Sequence, residues 1–237
     1  MPVGVERRKR RRLHVALVIG VPLLLLALLQ AILPPLAARV VRDRIKKYGD
    51  IQSVSVSAWP AVELLWGKAD SAVATAGSLS VTAAQMTKLA WESKSVHDLD
   101  ITVARLDLKV PGIPNGVVLR NVSSHKRGAS MSTQATLTQA DLTAALPSGF
   151  IVQPVASGGG QVEVHASGGL FGVQESLSAL VKPLEGRLVV EPHGFPLAGL
   201  ATLTLFSDPH LKIESVDVRV QSRQPLAYRL SLRTSLR

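Results

Sequence analysis

Apolar and polar positions change their rhythm twice along this chain. The first stretch, LHVALVIGVPLLLLALLQAIL from Leu13 to Leu33, carries no charge between Val15 and Leu33. A helix that crosses a bilayer core needs about 20 consecutive apolar residues, so residues 13–33 are expected to form a transmembrane helix. Pro22 and Gln30 weaken it slightly, and membrane spans tolerate such residues. In the next stretch, 34–48, the pattern is amphipathic. Leu36, Val40, Val41 and Ile45 form one apolar stripe, Pro34 and Pro35 suit a helix start, and Gly49 suits its stop. Beyond Gly49 a period of two takes over.

IQSVSVSA alternates through Ile51, Val54 and Val56, and the chain then turns at Trp59-Pro60 and Trp66-Gly67 before an extended pattern resumes. Residues 82–93 predict a short helix with Ala83, Met86, Leu89 and Ala90 inward. LDITVARLDLKV, residues 99–110, has the clearest alternation. Its phase slips by one residue near Arg105, which predicts a β-bulge. PGIPNG, residues 111–116, is a turn cluster. VVLRNVSS and MSTQATLT read as strands, residues 139–146 as a short helix, and ASGGGQ as a loop. Residues 172–182 fit helix or strand equally. QVEVHA, EGRLVVEP, LATLTLF, LKIESVDVRV and LAYRLSLR complete a strand-rich body, with Glu191-Pro192-His193 and Asp208-Pro209-His210 read as turns. The class is antiparallel α+β. The expected domains are a basic cytoplasmic tail (1–12), the anchor (13–33), a basic juxtamembrane helix (34–48) and one extracytoplasmic body (49–237).

The run RRKRRR, Arg7 to Arg12, abuts the apolar stretch. A basic start and an apolar middle also suit a cleaved signal peptide. The apolar run exceeds the usual h-region of about 7–15 residues, and Leu36-Ala37-Ala38 is a poor cleavage site, so an uncleaved anchor is expected. Of the net charge of +10, residues 1–12 hold +5 and residues 39–47 hold +4, which leaves +1 for all the rest. The denser block is N-terminal, which places the N-terminus in the cytoplasm and the body outside a single-pass cell-membrane anchor.

This distribution removes nucleic acid as a partner, because the basic residues flank a membrane span and the body is nearly neutral. Arg39, Arg42 and Lys46, spaced three and four apart, lie on one helix face and are candidates for anionic lipid headgroups; the plainer reading is a solvated face. The chain has no cysteine, which excludes disulfides, thiolate metal sites and thiol catalysis. Its six histidines show no i, i+4 zinc pair, and neither a GxSxG elbow nor a dinucleotide or phosphate loop is present. Asp98 and Asp100 share a strand face and read as a solvated strand start. Nothing here calls for a catalytic residue, a metal or a cofactor, and the chain is read as a non-enzyme.

WPAVELLW gathers Trp59, Val62, Leu64, Leu65 and Trp66 in one short piece. These five are the candidate lining of an apolar groove. Core packing is the plainer reading for any one of them, and the two tryptophans also suit a membrane interface.

The pieces LPPLAARVVRDRIKKYG, VSVSAWPAVELLWGKADSAVA, LDITVARLDLKV, LTQADLTAALP, EGRLVVEP and LKIESVDVRV resemble the LmeA-like phospholipid-binding proteins of actinobacterial cell envelopes. The resemblance covers roughly residues 33–233. Its sharpest element is an aromatic-Pro-x-x-x-x-Leu-x-Gly pattern at Trp59, Pro60, Leu65 and Gly67. It implies a domain like the tubular lipid-binding superfamily, in which a curved antiparallel sheet wraps a helix around an apolar groove. It brings no catalytic residues. The function it implies is membrane-anchored binding of phospholipid on the outer, periplasmic side, to carry, present or sense lipid for envelope upkeep. The rival is an envelope scaffold with a filled core that binds a protein partner through a sheet edge. An envelope lipid or glycan enzyme is a third reading, which requires a His and an acid to converge in a pocket.

Overall fold

The computed structural model describes residues 26–110, 113, 115–146, 149–170, 173–193 and 202–237. The basic tail, residues 13–25 of the expected anchor and much of the 111–116 turn cluster lie outside the described residues.

The chain is a mixed α+β protein with open, curved sheets. Within the described residues the first helix, α1, covers 26–45 without a break. The helix start expected at Pro34 is absent: α1 runs through Pro34 and Pro35, whose missing amides leave the carbonyls of Gln30 and Ala31 without intrahelical donors. Residues 26–33, the second part of the expected span, are helical, and Gln30 among them bonds to the body. Among the described residues no helix is long and apolar enough to cross a membrane. One turn of 3-10 helix, Lys46–Tyr48, ends at Gly49. Its φ of 155° and the carbonyl of Ser78 against its Cα leave no room for a side chain.

Seven strands form the main sheet in the order β1-β2-β3-β4-β5-β12-β11. They are β1 (Gly49–Ser57), β2 (Ala69–Thr82), β3 (Val96–Lys109), β4 (Val117–Arg127), β5 (Ser130–Thr138), β12 (Leu226–Leu236) and β11 (Leu211–Arg223). All neighbours are antiparallel except β2 and β3. Between those two lies helix α2 (Ala83–Glu92), which returns the chain to the starting edge and so makes the pair parallel. The expectation of a wholly antiparallel sheet is corrected at this pair. A capping box fixes the start of α2: Gln85 N–H donates to Thr82 Oγ1 at 3.2 Å, and Thr82 N–H donates to Gln85 Oε1 at 2.8 Å.

The phase slip in β3 is real, but it is not a bulge of that strand alone. Ala76, Val103 and Val122 form one cross-strand row, and Leu79, Leu106 and Leu119, three residues along, form another. Both rows meet one core although three residues should reverse the facing. Pairing of β3 with β2 and with β4 stays in register through the slip. The three strands therefore turn their faces together, and the register shifts fall at the flanks, between β1 and β2 and between β4 and β5.

A second sheet has the order β10-β9-β8-β7-β6, with β6 (Phe150–Gly158), β7 (Gln161–Leu170), β8 (Val173–Leu184), β9 (Arg187–His193) and β10 (Leu203–Phe206). Residues 172–182, which fit either pattern, are mostly strand. Glu191-Pro192-His193 also lies in a strand, β9, where a turn was expected. Asp208-Pro209-His210 is a turn as expected, with His210 N–H on Asp208 Oδ1 at 2.8 Å. The second sheet covers the free edge of β11: Ile213 N–H donates to Gly186 O at 2.9 Å, Val216 N–H to Gly160 O at 3.0 Å and Val218 N–H to Ser157 Oγ at 2.9 Å. An edge strand left bare invites pairing with another chain. Helix α3 (Gln139–Ala145) joins the sheets, since Gln139 donates to Val152 O at 3.0 Å and accepts from the buried Tyr228 hydroxyl at 2.9 Å.

Candidate functional site

The core of the main sheet is incompletely filled. Between α1, α2 and the face of β1–β3 lies a cavity of about 500 Å3. Ligand pockets run from about 300 to 1,000 Å3, so the volume lies in the range of a ligand site. Its floor is β2, where Ala69, Ala72, Ala74 and Ala76 present methyl groups in place of larger side chains. Its roof is α1, through Ala37, Val40, Val41 and Ile45. Leu89 of α2 and Val96, Leu99 and Ile101 of β3 close the side. The lining extends along β2 from Ala69 to Val81, roughly 40 Å of strand. Arg44, Lys68 and Glu92 are the charged groups at its edge, all exposed, so no charge is sealed inside it.

Gln30 holds the roof in place. Its Nε2 donates to Ala58 O at 3.1 Å and its Oε1 accepts from Ala61 N–H at 2.8 Å. These bonds grip the Trp59-Pro60 turn from both sides, and Trp59 N–H is fixed by Asp70 Oδ2 at 2.6 Å. The turn leads into a 3-10 helix, Ala61–Trp66, which ends at Gly67 in the left-handed region.

Of the five groove candidates, Leu64 lines the cavity. Val62 is half-buried outside its lining. Trp59, Leu65 and Trp66 point away from the core, with 70%, 64% and 70% of their surface exposed. The three headgroup candidates are exposed on α1 and the turn after it. Arg42 spends a guanidinium nitrogen on Ile51 O, 3.1 Å away. Arg44, between them, is the α1 cation that reaches the cavity. The β2 alanines and α1 were missed as lining; the sequence signal was the small-residue run ADSAVATA on a strand. A smaller recess of about 340 Å3, lined by Lys47, Lys109 and polar side chains, adjoins the cavity through Tyr48 and Val81.

Among the described residues histidine and acid come closest at His125. His125 Nδ1 lies 2.7 Å from Asp100 Oδ1, and its Nε2 lies 3.0 Å from Ser123 Oγ. The hydrogen bond with His125 holds the Asp100 carboxyl below the usual carboxylate range, against the opposing pull of desolvation, and Arg127 adds to the lowering. Asp100 alternates with Leu99 and Ile101, which face the cavity, so this chain of three sits on the opposite, solvent-facing side of the sheet. Among the described residues no cluster of three or more His, Asp or Glu is placed to hold a metal ion.

The chain has no match among curated proteins or solved structures. A family model does match it, over residues 26–233 and thus from the first described residue of α1 almost to the end of β12, and the chain belongs to the LmeA-like phospholipid-binding family.

Proposed function

We propose that this protein holds a phospholipid by its acyl chains in the cavity between α1, α2 and β1–β3. We further propose that it works outside the cytoplasmic membrane, tethered through residues 13–33, to carry, present or sense lipid for envelope maintenance. The observation that carries the reading is the unfilled apolar space floored by β2 alanines. Family membership supports the lipid class. The scaffold alternative expects a filled core, and the cavity argues against it.

The test is native mass spectrometry of the full chain, with lipid analysis of what is released. Residues 26–48 must be kept, because α1 is one wall of the cavity. Near-stoichiometric phospholipid on the wild-type chain, lost in a variant that plugs the cavity, is the expected result. A chain that carries no lipid and takes none from added vesicles would send the function back to a protein-binding role.

A further inference from the structure

The reading above leaves the exposed turn at Trp59–Trp66 without a role. Two of the chain's three tryptophans and a leucine stand in water there, within eight residues. Large apolar side chains clustered on a surface mark a contact site. Three observations identify what covers them. First, Gln30 pins this turn to the 26–33 stretch of α1. Leu26, Leu28, Leu29 and Ile32 are exposed there too, and the uncharged run Val15–Leu25 leads directly into Leu26. Second, the turn walls one end of the cavity: Leu64, Gly67 and Lys68 line it, while Leu65 and Trp66, interleaved with them, face outward. Third, tryptophan favours the boundary between headgroups and acyl chains, where an apolar ring and a polar N–H are both accommodated.

We propose that Trp59, Leu65 and Trp66 form a bilayer-docking face that seats this end of the cavity against the surface of a phospholipid membrane. The proposal rests on the cavity being a lipid site, and it names the end at which lipid passes between bilayer and protein. Docking there keeps acyl chains from crossing open water. The occupant is the bilayer rather than a second copy of the chain or its own N-terminal segment.

The test uses the full chain carrying Trp91→Phe, so that emission reports only Trp59 and Trp66; residues 1–25 contain no tryptophan. The protein is placed in phosphatidylcholine vesicles, with or without bromine on the upper acyl carbons. Blue-shifted emission that bromine quenches is expected, and the quenching should survive Ala74→Phe, which plugs the cavity. In a second arm, Trp59→Ser/Leu65→Ser/Trp66→Ser should slow pick-up of labelled phospholipid by about tenfold or more, since burying even one large apolar side chain is worth that factor. Its final lipid content should stay unchanged. Emission that bromine leaves untouched, blue-shifted or not, overturns the proposal, because the face is then in water or against protein. Quenching that vanishes with Ala74→Phe also overturns it, because the quencher was cavity lipid. In each of these cases phospholipid found on the purified wild-type chain would leave the cavity reading standing.

Discussion

Gln30 and Ala61 are 31 residues apart and are joined at 2.8 Å by the side-chain carbonyl of one and the backbone amide of the other. Ala61 is 2% exposed, so its N–H has little access to water once Gln30 is changed. Gln30→Leu keeps the length and helix propensity of the side chain but orphans that amide and the Ala58 carbonyl. It should cost about 1–3 kcal/mol, read as a shift in the denaturant midpoint. Proteolysis within α1 should quicken as the helix leaves the sheet. Gln30→Glu keeps the acceptor for Ala61 and should fall between wild type and Leu. If Gln30→Leu matches wild type in both measurements, the helix is held by its apolar face alone.

Ala74 stands where β2 crosses the middle of the cavity, half-buried and facing α1. Ala74→Phe should place its ring in vacant space, and so avoid the ~1–3 kcal/mol that overpacking costs in a filled core. Melting should change little while bound phospholipid drops several-fold. Unaltered lipid content in a folded Ala74→Phe variant would move the ligand out of this cavity.

Much of the fold was readable because period two is a strong signal where one face is buried, as through Ile101 and Val103. It failed where facing is decided by the sheet rather than by the strand. Leu106 slips phase in β3 because Leu79 and Leu119 slip with it, and no single strand reveals that. The direction of β3 depended on α2 crossing back, which alternation does not encode. The site was read less well, for a physical reason. Large apolar residues such as Trp66 announce burial in a sequence, but a cavity is made by missing volume, and its marker was the alanines of β2. Gln30 was read as a flaw in an apolar run, whereas its amide is the tether of the cavity roof.

Asp141 binds α3 to β4. Its Oδ2 accepts from Arg120 Nε at 2.8 Å and from the Thr138 hydroxyl at 2.6 Å, and its Oδ1 accepts from Arg120 Nη2 at 3.0 Å. The Arg120 hydrogen bond holds this carboxyl below the usual carboxylate range; desolvation opposes it, and Thr138 adds to the lowering. A carboxylate with a depressed folded pKa stabilises above its unfolded value, near 3.8, and that contribution is lost as pH falls through the folded value. Asp141→Asn should therefore lower stability by about 1–3 kcal/mol between pH 5 and 8. The gap to wild type should narrow below pH ~4. Thermal melts of both proteins across this range check it; a gap independent of pH would assign the loss to packing.

Among the described residues Lys126 is the one lysine whose side chain is sealed, at 1% exposed, with Nζ donating to the carbonyl of Val96. Desolvation pushes its ammonium below the usual lysine value, and the charge of Asp98 only partly offsets this. A lysine with a depressed folded pKa carries a penalty that is full at pH below the folded value. The penalty is relieved as pH rises toward the unfolded value, near 10.5. Lys126→Met keeps the apolar stem and removes the charge, so at pH 7 it should be neutral or stabilising by up to ~2 kcal/mol. Its advantage should shrink as pH approaches 10, because only the wild type gains from deprotonation. Lys126→Ala removes the stem as well and should destabilise through the space it opens. Denaturant titrations of the three proteins at pH 7 and pH 10 separate charge from packing. Were Lys126→Met clearly less stable than wild type at pH 7, the bond to Val96 O would outweigh the cost of burying the ammonium, and this lysine would be a structural tie at the end of β3.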